Sequence, residues 1–248
     1  MRMRDLLVLD TTGRLVIACD SIGGIGPKPA DRYWADAPTV AHFALRGPLL
    51  EVLCTGAEVI AIANALTVAR DDIGQQMIDT IVQLAQQAGV SAEAVTGSTE
   101  ENVPSGATGV GVTVIGRLPP GAPAGGESRP GDVVLCAGLP ISAPRDRVHI
   151  GHPSLVSVGE VSAALATGVV HDALPVGSKG VRFEIGQLAE PAGLTAIWQA
   201  ETVHPTDSGG PSSCVLFSCA AADEPILRAV FSSTLPVERV APRPLMPA

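Results

Sequence analysis

The sequence predicts a mixed α/β protein organised in two halves, and three observations carry that prediction. Strand-like runs alternate with stretches of helical spacing along the whole chain. Apolar residues make up 46% and charged residues 17% of the 248, too apolar for a disordered chain and enough to fill substantial cores. A stretch dense in Pro and Gly, residues 119–131, separates 1–118 from 132–248 and reads as a linker or surface loop.

In chain order, Leu6–Leu9 and Leu15–Cys19 read as strands about a Thr12-Gly13 turn, followed by a loop rich in Gly and Pro from Ser21 to Pro29. From Pro38 to about Thr55, Val40, Phe43, Leu49, Leu50 and Leu53 keep helical spacing, with Gly47-Pro48 expected to break or kink the helix. Val59–Ala65 suits a buried strand. Ile73–Ala88 is the best helix: Ile73, Met77, Ile78, Ile81, Leu84, Ala85 and Ala88 form one stripe, Asp72 and Gln75 a capping pair, and Gly89 the stop. A strand Val95–Gly97, a polar loop Ser98–Ala107 and a strand Gly109–Gly116 follow.

In the second half the expected strands are Val133–Ala137, Gly168–Val170, Leu194–Trp198 and Cys214–Ser218. Helices are expected at Leu155–Leu165, through Val181, Ile185 and Leu188, and at Pro225–Phe231, with a loose end from Pro242 to Pro247.

Charge and composition narrow the function. A net charge of −9 repels phosphate backbones, and 3% aromatics leave little with which to stack bases, so nucleic acid is not an expected partner. The most apolar stretch, Val52 to Ala69, contains Gly56, Glu58 and Asn64, which disfavours a membrane span. Met-Arg-Met-Arg leads straight into a short strand without a signal-peptide pattern. The five scattered cysteines (Cys19, Cys54, Cys136, Cys214, Cys219) form no Cys-x-x-Cys pair and read as reduced thiols of a cytoplasmic protein. Of sixteen basic residues only Lys28 and Lys179 are lysine, and both sit in Gly/Pro-rich turns.

Four patterns bear on chemistry. The first is acidic: Asp5, Asp20, Glu51, Glu100, Glu101 and Asp172 stand at strand edges, in one apolar helix and in a polar loop, and carboxylates so placed can converge on a hard cation such as Mg²⁺. Each taken alone reads more simply as a solvated charge or a cap. The second is Gly97-Ser98-Thr99-Glu100-Glu101-Asn102, whose backbone N–H groups can hold phosphate oxygens, or which is an ordinary polar connection.

The third is Gly177-Ser178-Lys179-Gly180 before a helix, an anion site or a plain cap with Ser178 as capping residue. It is not a P-loop, because Gly180 follows the lysine, and Gly23–Lys28 fails the same test while remaining able to lie over a nucleotide as a mobile segment. The fourth, Asp207-Ser208-Gly209-Gly210-Pro211, imitates a serine-protease nucleophile, with His42 as histidine and Asp72 as third member. Asp72 opens a helix where that fold needs strands, and Thr206 stands where glycine is required, so the protease reading is set aside. His149, His152, His171 and His204 share no metal-binding spacing, and His171 is of interest only because it adjoins Asp172.

Together these pieces resemble the ATP-binding superfamily of aminoimidazole ribonucleotide synthetase, thiamine-monophosphate kinase and selenophosphate synthetase. The resemblance rests on Thr96–Asn102 leading to Gly111–Gly116, on Leu15–Asp20, on Glu51–Ala57, on Gly131-Asp132 opening a strand, on His171–Leu188 and on Gly209–Phe217. Within it, Cys19-Asp20-Ser21, the Gly-rich loop with Lys28, Gly97–Asn102 and Pro175–Gly180 look most like the α-ribazole kinase family. Glu51 and Glu100 stand where relatives have aspartate, and Gly97-Ser98-Thr99 replaces Gly-Gly-Asp.

The resemblance implies a two-domain fold, residues 1–118 binding ATP and metal and forming a dimer β-barrel, residues 132–248 a C-terminal α/β domain. It implies a homodimer, ATP and Mg²⁺ as cofactors, and a small-molecule acceptor: the ribose hydroxyl of a nucleoside such as α-ribazole. Asp5, Asp20, Glu51, Glu100 and Asp172 are then metal candidates, Gly97, Ser98, Thr99, Gly177 and Ser178 nucleotide contacts, and Lys28 and Lys179 the catalytic cations. A thiamine-monophosphate-kinase-like enzyme or a non-catalytic nucleotide-binding dimer remain open alternatives.

Overall fold

The computed structural model describes residues 2–3, 6–10, 13–198, 200–241 and 245–247. Asp5, Thr12 of the first turn and 242–244 of the Pro-rich end lie outside the described residues. Two compact units are present: Met1–Leu53 with Ala57–Pro120, and Gly121–Ala248 with the short segment Cys54–Gly56.

The first unit contains β1 (Arg2–Met3), β2 (Leu6–Asp10), β3 (Arg14–Gly23), β4 (Ile25–Gly26), β5 (Tyr33–Trp34), α1 (Ala37–Leu53), β6 (Glu58–Leu66), α2 (Asp72–Gln87), β7 (Val95–Thr99) and β8 (Gly109–Leu118). Six strands form one sheet in the order β1-β2-β3-β8-β6-β7, antiparallel except for β6 with β7. Period-2 patterning sorts its faces. Val16, Ala18, Ile62, Val110, Val112 and Val114 are buried on the face where α1 packs, while Leu15, Ile17, Ala63 and Ile115 on the other are half-buried.

α1 does not break at Pro48 but runs unbroken from Ala37 to Leu53. A mid-helix proline costs about 3 kcal/mol. Leu45, Leu49, Leu50 and Val52 around it are fully buried, each worth about 1.5–3 kcal/mol, so packing outweighs propensity. α2 starts on Asp71 rather than on an Asp72–Gln75 pair: the Asp71 carboxylate accepts from the amides of Ile73 (2.9 Å) and Gly74 (3.2 Å). Gly89, at φ +77°, ends it as the sequence predicts.

The second unit contains β9 (Asp132–Ala137), α3 (Val158–Ala166), β10 (Val170–Pro175), α4 (Val181–Ala189), β11 (Leu194–Thr195), β12 (Val215–Ala220), α5 (Glu224–Arg228), β13 (Val237–Ala241) and β14 (Met246–Pro247). Four strands form an antiparallel sheet in the order β10-β12-β9-β13. Val134, Cys136, Leu174 and Leu216 meet Val181, Ile185 and Leu188 of α4 in its core. The strand expected at Leu194–Trp198 is only two residues long and pairs with β14, inside the end expected to be loose. β13 has no strong sequence signal, because Glu238 and Arg239 interrupt its apolar run. Glu238 accepts the amide of Val203 at 2.9 Å and Arg239 pairs with Glu224.

Among the described residues neither sheet closes on itself, so the barrel implied by the resemblance is not formed within one chain.

Candidate functional site

One row of residues crosses the first sheet. Asp20 on β3 stands opposite Val112 on β8, Val112 opposite Asn64 on β6, and Asn64 opposite Gly97 on β7. Opposed residues share a face, and three strand spacings put Asp20 and Gly97 roughly 14 Å apart. Asn64 is buried, and its Nδ2 donates to the Thr96 carbonyl at 3.0 Å. A Cβ at Gly97 would lie 2.3 Å from Asn64 Oδ1, so glycine is what lets this strand pass the amide.

Beside the row, between α2 and the edge strand β7, opens a cleft of about 440 Å³. Ile78, Val82 and Val95 give it apolar wall; Asn64, Arg70, Thr96, Ser98 and Thr99 give it polar groups. Ser98 and Thr99, expected in a loop, continue β7, and the turn begins only at Glu100. That turn is organised by its own carboxylates. Glu100 accepts the amides of Asn102 (2.8 Å) and Val103 (3.1 Å), which hold its pKa below the ordinary value. Glu101 accepts the Thr99 hydroxyl (2.6 Å) and the Arg70 amide (2.7 Å), and is lowered in the same way. Both remain fully ionised at neutral pH.

The Gly-rich segment after β3 is pinned rather than loose. Lys28 Nζ donates to the Ser105 carbonyl at 2.8 Å, Gly24 N to Thr108 O at 2.9 Å and Ala30 N to Gly106 O at 3.0 Å. The Asp31 carboxylate accepts the Thr108 amide and hydroxyl, both at 2.7 Å, and the Lys28 amide at 2.8 Å.

Glu51 is half-buried near the end of α1. Its neighbour Val52 packs where a Cβ on Gly116 would lie, four residues along the ladder from Val112, or roughly 13 Å from the Asp20 level.

The remaining sequence candidates lie in the second unit. Asp172 is buried; its Oδ2 accepts the Gly126 amide and its Oδ1 the Ala173 amide, each at 2.9 Å. It thereby holds the segment before β9, helped by a 3.0 Å contact between the hydroxyls of Ser128 and Ser218. His171 turns to Asp132 at 2.9 Å. The N-cap of α4 is Gly180, with no side-chain cap bond, so Ser178 does not cap the helix as expected. At φ +83° a Cβ on Gly180 would lie 2.8 Å from the Pro205 carbonyl. The Gly177 carbonyl accepts the Gly209 amide at 3.0 Å. Lys179 Nζ sits 4.2 Å from the Phe183 ring centroid.

The protease-like pattern stays set aside. Ser208 Oγ accepts the Gly210 amide at 3.0 Å, Asp207 pairs with Arg145 at 2.6 Å, and His42 belongs to α1 of the first unit.

Asp20 and Gly97 thus share one sheet and one row, with Ser98 and Thr99 on the following rows and Glu100 just beyond the edge strand. Among the described residues no three His, Cys, Asp or Glu side chains gather closely enough to hold a metal by themselves. Sequence reasoning missed Asn64, Arg70 and Asp31. A lone amide inside the apolar run Val59–Ala65 was the available signal for Asn64, and nothing local marked the other two.

No family model matches the sequence, and no curated protein matches it. Solved structures do. T. maritima PurL complexed with AMPPCP superposes with a TM-score of 0.62 at 18% identity, covering 94% of this chain and 40% of that one. The chain therefore spans about two fifths of PurL. The hydrogenase maturation protein HypE gives 0.67 at 17% identity over 97% of this chain and 82% of its own. HypE in complex with ATP gives 0.66 at 17% over 97% and 79%. A protein from Thermus thermophilus gives 0.66 at 14% over 98% and 86%. The chain has the mixed α/β fold of these proteins. Among the described residues no helix is long and apolar enough to cross a membrane.

Proposed function

We propose that the chain is an ATP-dependent phosphotransferase acting on the ribose hydroxyl of a small nucleoside, with α-ribazole as acceptor. The observation that carries the reading is the cleft along Gly97–Thr99, on the row that ends at Asp20. The fold adds support, since its solved relatives include PurL with AMPPCP and HypE with ATP.

In this reading the bare edge of β7 at Gly97, Ser98 and Thr99 offers backbone groups to the nucleotide, and Arg70 offers a cation. Mg²⁺ fits the donor set: it binds through one or two carboxylates together with substrate phosphates and keeps several waters, so no carboxylate cage need stand ready. Asp20, exposed on the row, and Glu100 at its far side would serve different stretches of the polyphosphate, with Asp5, Glu51 and Asp172 as further candidates. The ion supplies charge neutralisation for the triphosphate. The protein's own part is positioning: the ribose hydroxyl oxygen bonds to the γ-phosphorus, the bond to the β-phosphate oxygen breaks, and the hydroxyl proton leaves to solvent. Lys28 or Lys179 would meet the charge that develops on the γ-phosphoryl oxygens.

The same reading includes a homodimer of first units. The half-buried face bearing Leu15, Ile17, Ala63 and Ile115 is self-complementary in chemistry and is the surface on which two sheets would meet. A second function is favoured by a separate fact: Lys28 is bonded to Ser105 and Lys179 lies over Phe183. A nucleotide-binding dimer without turnover would look the same.

Labelled ATP, Mg²⁺ and α-ribazole separate the two. Label appearing on α-ribazole supports the kinase, and ATP binding without transfer supports the scaffold. Transfer to thiamine monophosphate or selenide instead assigns a different acceptor.

A further inference from the structure

The geometry points to Trp34 as the plate on which the acceptor's planar ring stacks, an assignment that rests on the phosphotransferase reading above. Trp34 is 78% exposed, the most of any large apolar side chain among the described residues, and Tyr33 beside it is 50% exposed. The chain spends aromatics sparingly, with two Trp, one Tyr and four Phe, and Phe43, Phe217 and Phe231 are buried.

An exposed indole on a loose loop would say little, but this one is held. β5 pairs with β4, Ile25 opposite Tyr33 and Gly26 opposite Trp34. The amides of Arg32 and Tyr33 donate to the Gly24 carbonyl at 2.8 and 3.3 Å, and that of Ala35 to Gly26 at 3.3 Å. The turn between β4 and β5 is clamped by Asp31 on Thr108 and Lys28 on Ser105. A Cβ at Gly26 would stand 2.2 Å from Thr108 Oγ1, so no slack remains behind the plate.

Continuity with the row gives the plate its occupant. β3 carries Asp20 and ends at Gly23, roughly 10 Å further on, and the chain passes directly into the strand that pairs with Trp34. In this assignment the acceptor's ring lies on the indole and its ribose turns toward the Asp20 end of β3. Around the plate Asp31 and Asp36 are balanced by Lys28 and Arg32, an even charge that suits a neutral heteroaromatic ring such as benzimidazole.

The test uses the whole chain. Trp198→Phe leaves Trp34 as the only indole, and its emission is followed during titration with α-ribazole and, separately, with ribose. Saturable quenching by α-ribazole alone is expected. In kinetics, Trp34→Ala should raise KM for α-ribazole roughly 10- to 100-fold, leave KM for ATP unmoved, and be largely rescued by Trp34→Phe. An unchanged KM in Trp34→Ala, with wild-type turnover present, overturns the plate and leaves the kinase standing. Absence of turnover in the wild type overturns the kinase reading, while quenching still reports on the ring. Emission that follows protein concentration and not nucleoside means that a second copy covers Trp34, and overturns the assignment.

Discussion

Asp31 and Thr108 clasp each other across 77 positions of sequence, one carboxylate oxygen taking the threonine amide and the other its hydroxyl, each at 2.7 Å. Through this pair the turn that follows β4 is fastened to the strand entering β8.

Breaking the clasp should loosen that turn. Asp31→Ala leaves the Thr108 amide and the Lys28 amide without their acceptor, at a cost of about 1–3 kcal/mol, readable as a lower urea midpoint. Burial works to raise the Asp31 pKa, but the bonds from Thr108 and Lys28 together hold it below the ordinary 3.8. A depressed carboxylate stabilises the fold above its unfolded pKa, and that contribution fades as pH falls through the lower folded value. Acid titration of wild type against Asp31→Ala should diverge above pH 3.8 and converge below it.

The cleft beside β7 makes two distinguishable demands. Gly97→Ala drives a methyl to within 2.3 Å of Asn64 Oδ1 and should cost both stability, about 1–3 kcal/mol, and nucleotide affinity. Arg70→Gln should weaken ATP roughly 10-fold in calorimetric titration and leave the melting temperature alone, since an exposed cation contributes little to folding. Equal ATP affinity in Arg70→Gln would take the arginine out of the site.

Asp172 offers a test of ligand against post. Its carboxylate receives two backbone amides while buried, so Asp172→Ala should lower stability by about 2–4 kcal/mol and loosen the segment around Gly126 to hydrogen exchange. If Asp172 also holds metal, ATP binding will lose its Mg²⁺ dependence in the folded variant. If it serves only as a post, that dependence will persist.

His42 predicts a pH dependence of its own. Burial, with the charge of Arg46 adding to it, pushes the imidazole pKa down from 6.5 to about 4. The unfolded chain then binds a proton that the native state refuses, so stability falls between pH 6.5 and about 4, by about 1.4 kcal/mol per pH unit at most. His42→Gln should flatten the urea midpoint across that window. A slope equal to wild type would show that another group sets it.

Particular residues show how much could be read in advance. The α2 stripe from Ile73 to Ala88 is visible because each apolar position serves one face, and Gly89 must end it. Pro48 misled because local propensity is weaker than the burial of Leu45, Leu49 and Leu50 around it. β13 was hidden because Glu238 and Arg239 find partners far along the chain, in Val203 and Glu224, which no local pattern reveals. At the site, Gly97 announced itself by type, but its purpose depends on Asn64, thirty-three positions earlier, and Arg70 enters only once α2 lies beside β7.

The strand pairings also set a timetable for the nascent polypeptide. Every described strand of the first sheet has been synthesised once Leu118 is made, whereas β9 gains its neighbour β13 only after Ala241, a hundred residues downstream. The first half can therefore close during translation while the second waits with an unpaired edge, and a stop codon between β12 and β13 should yield chains that aggregate through Val133–Ala137.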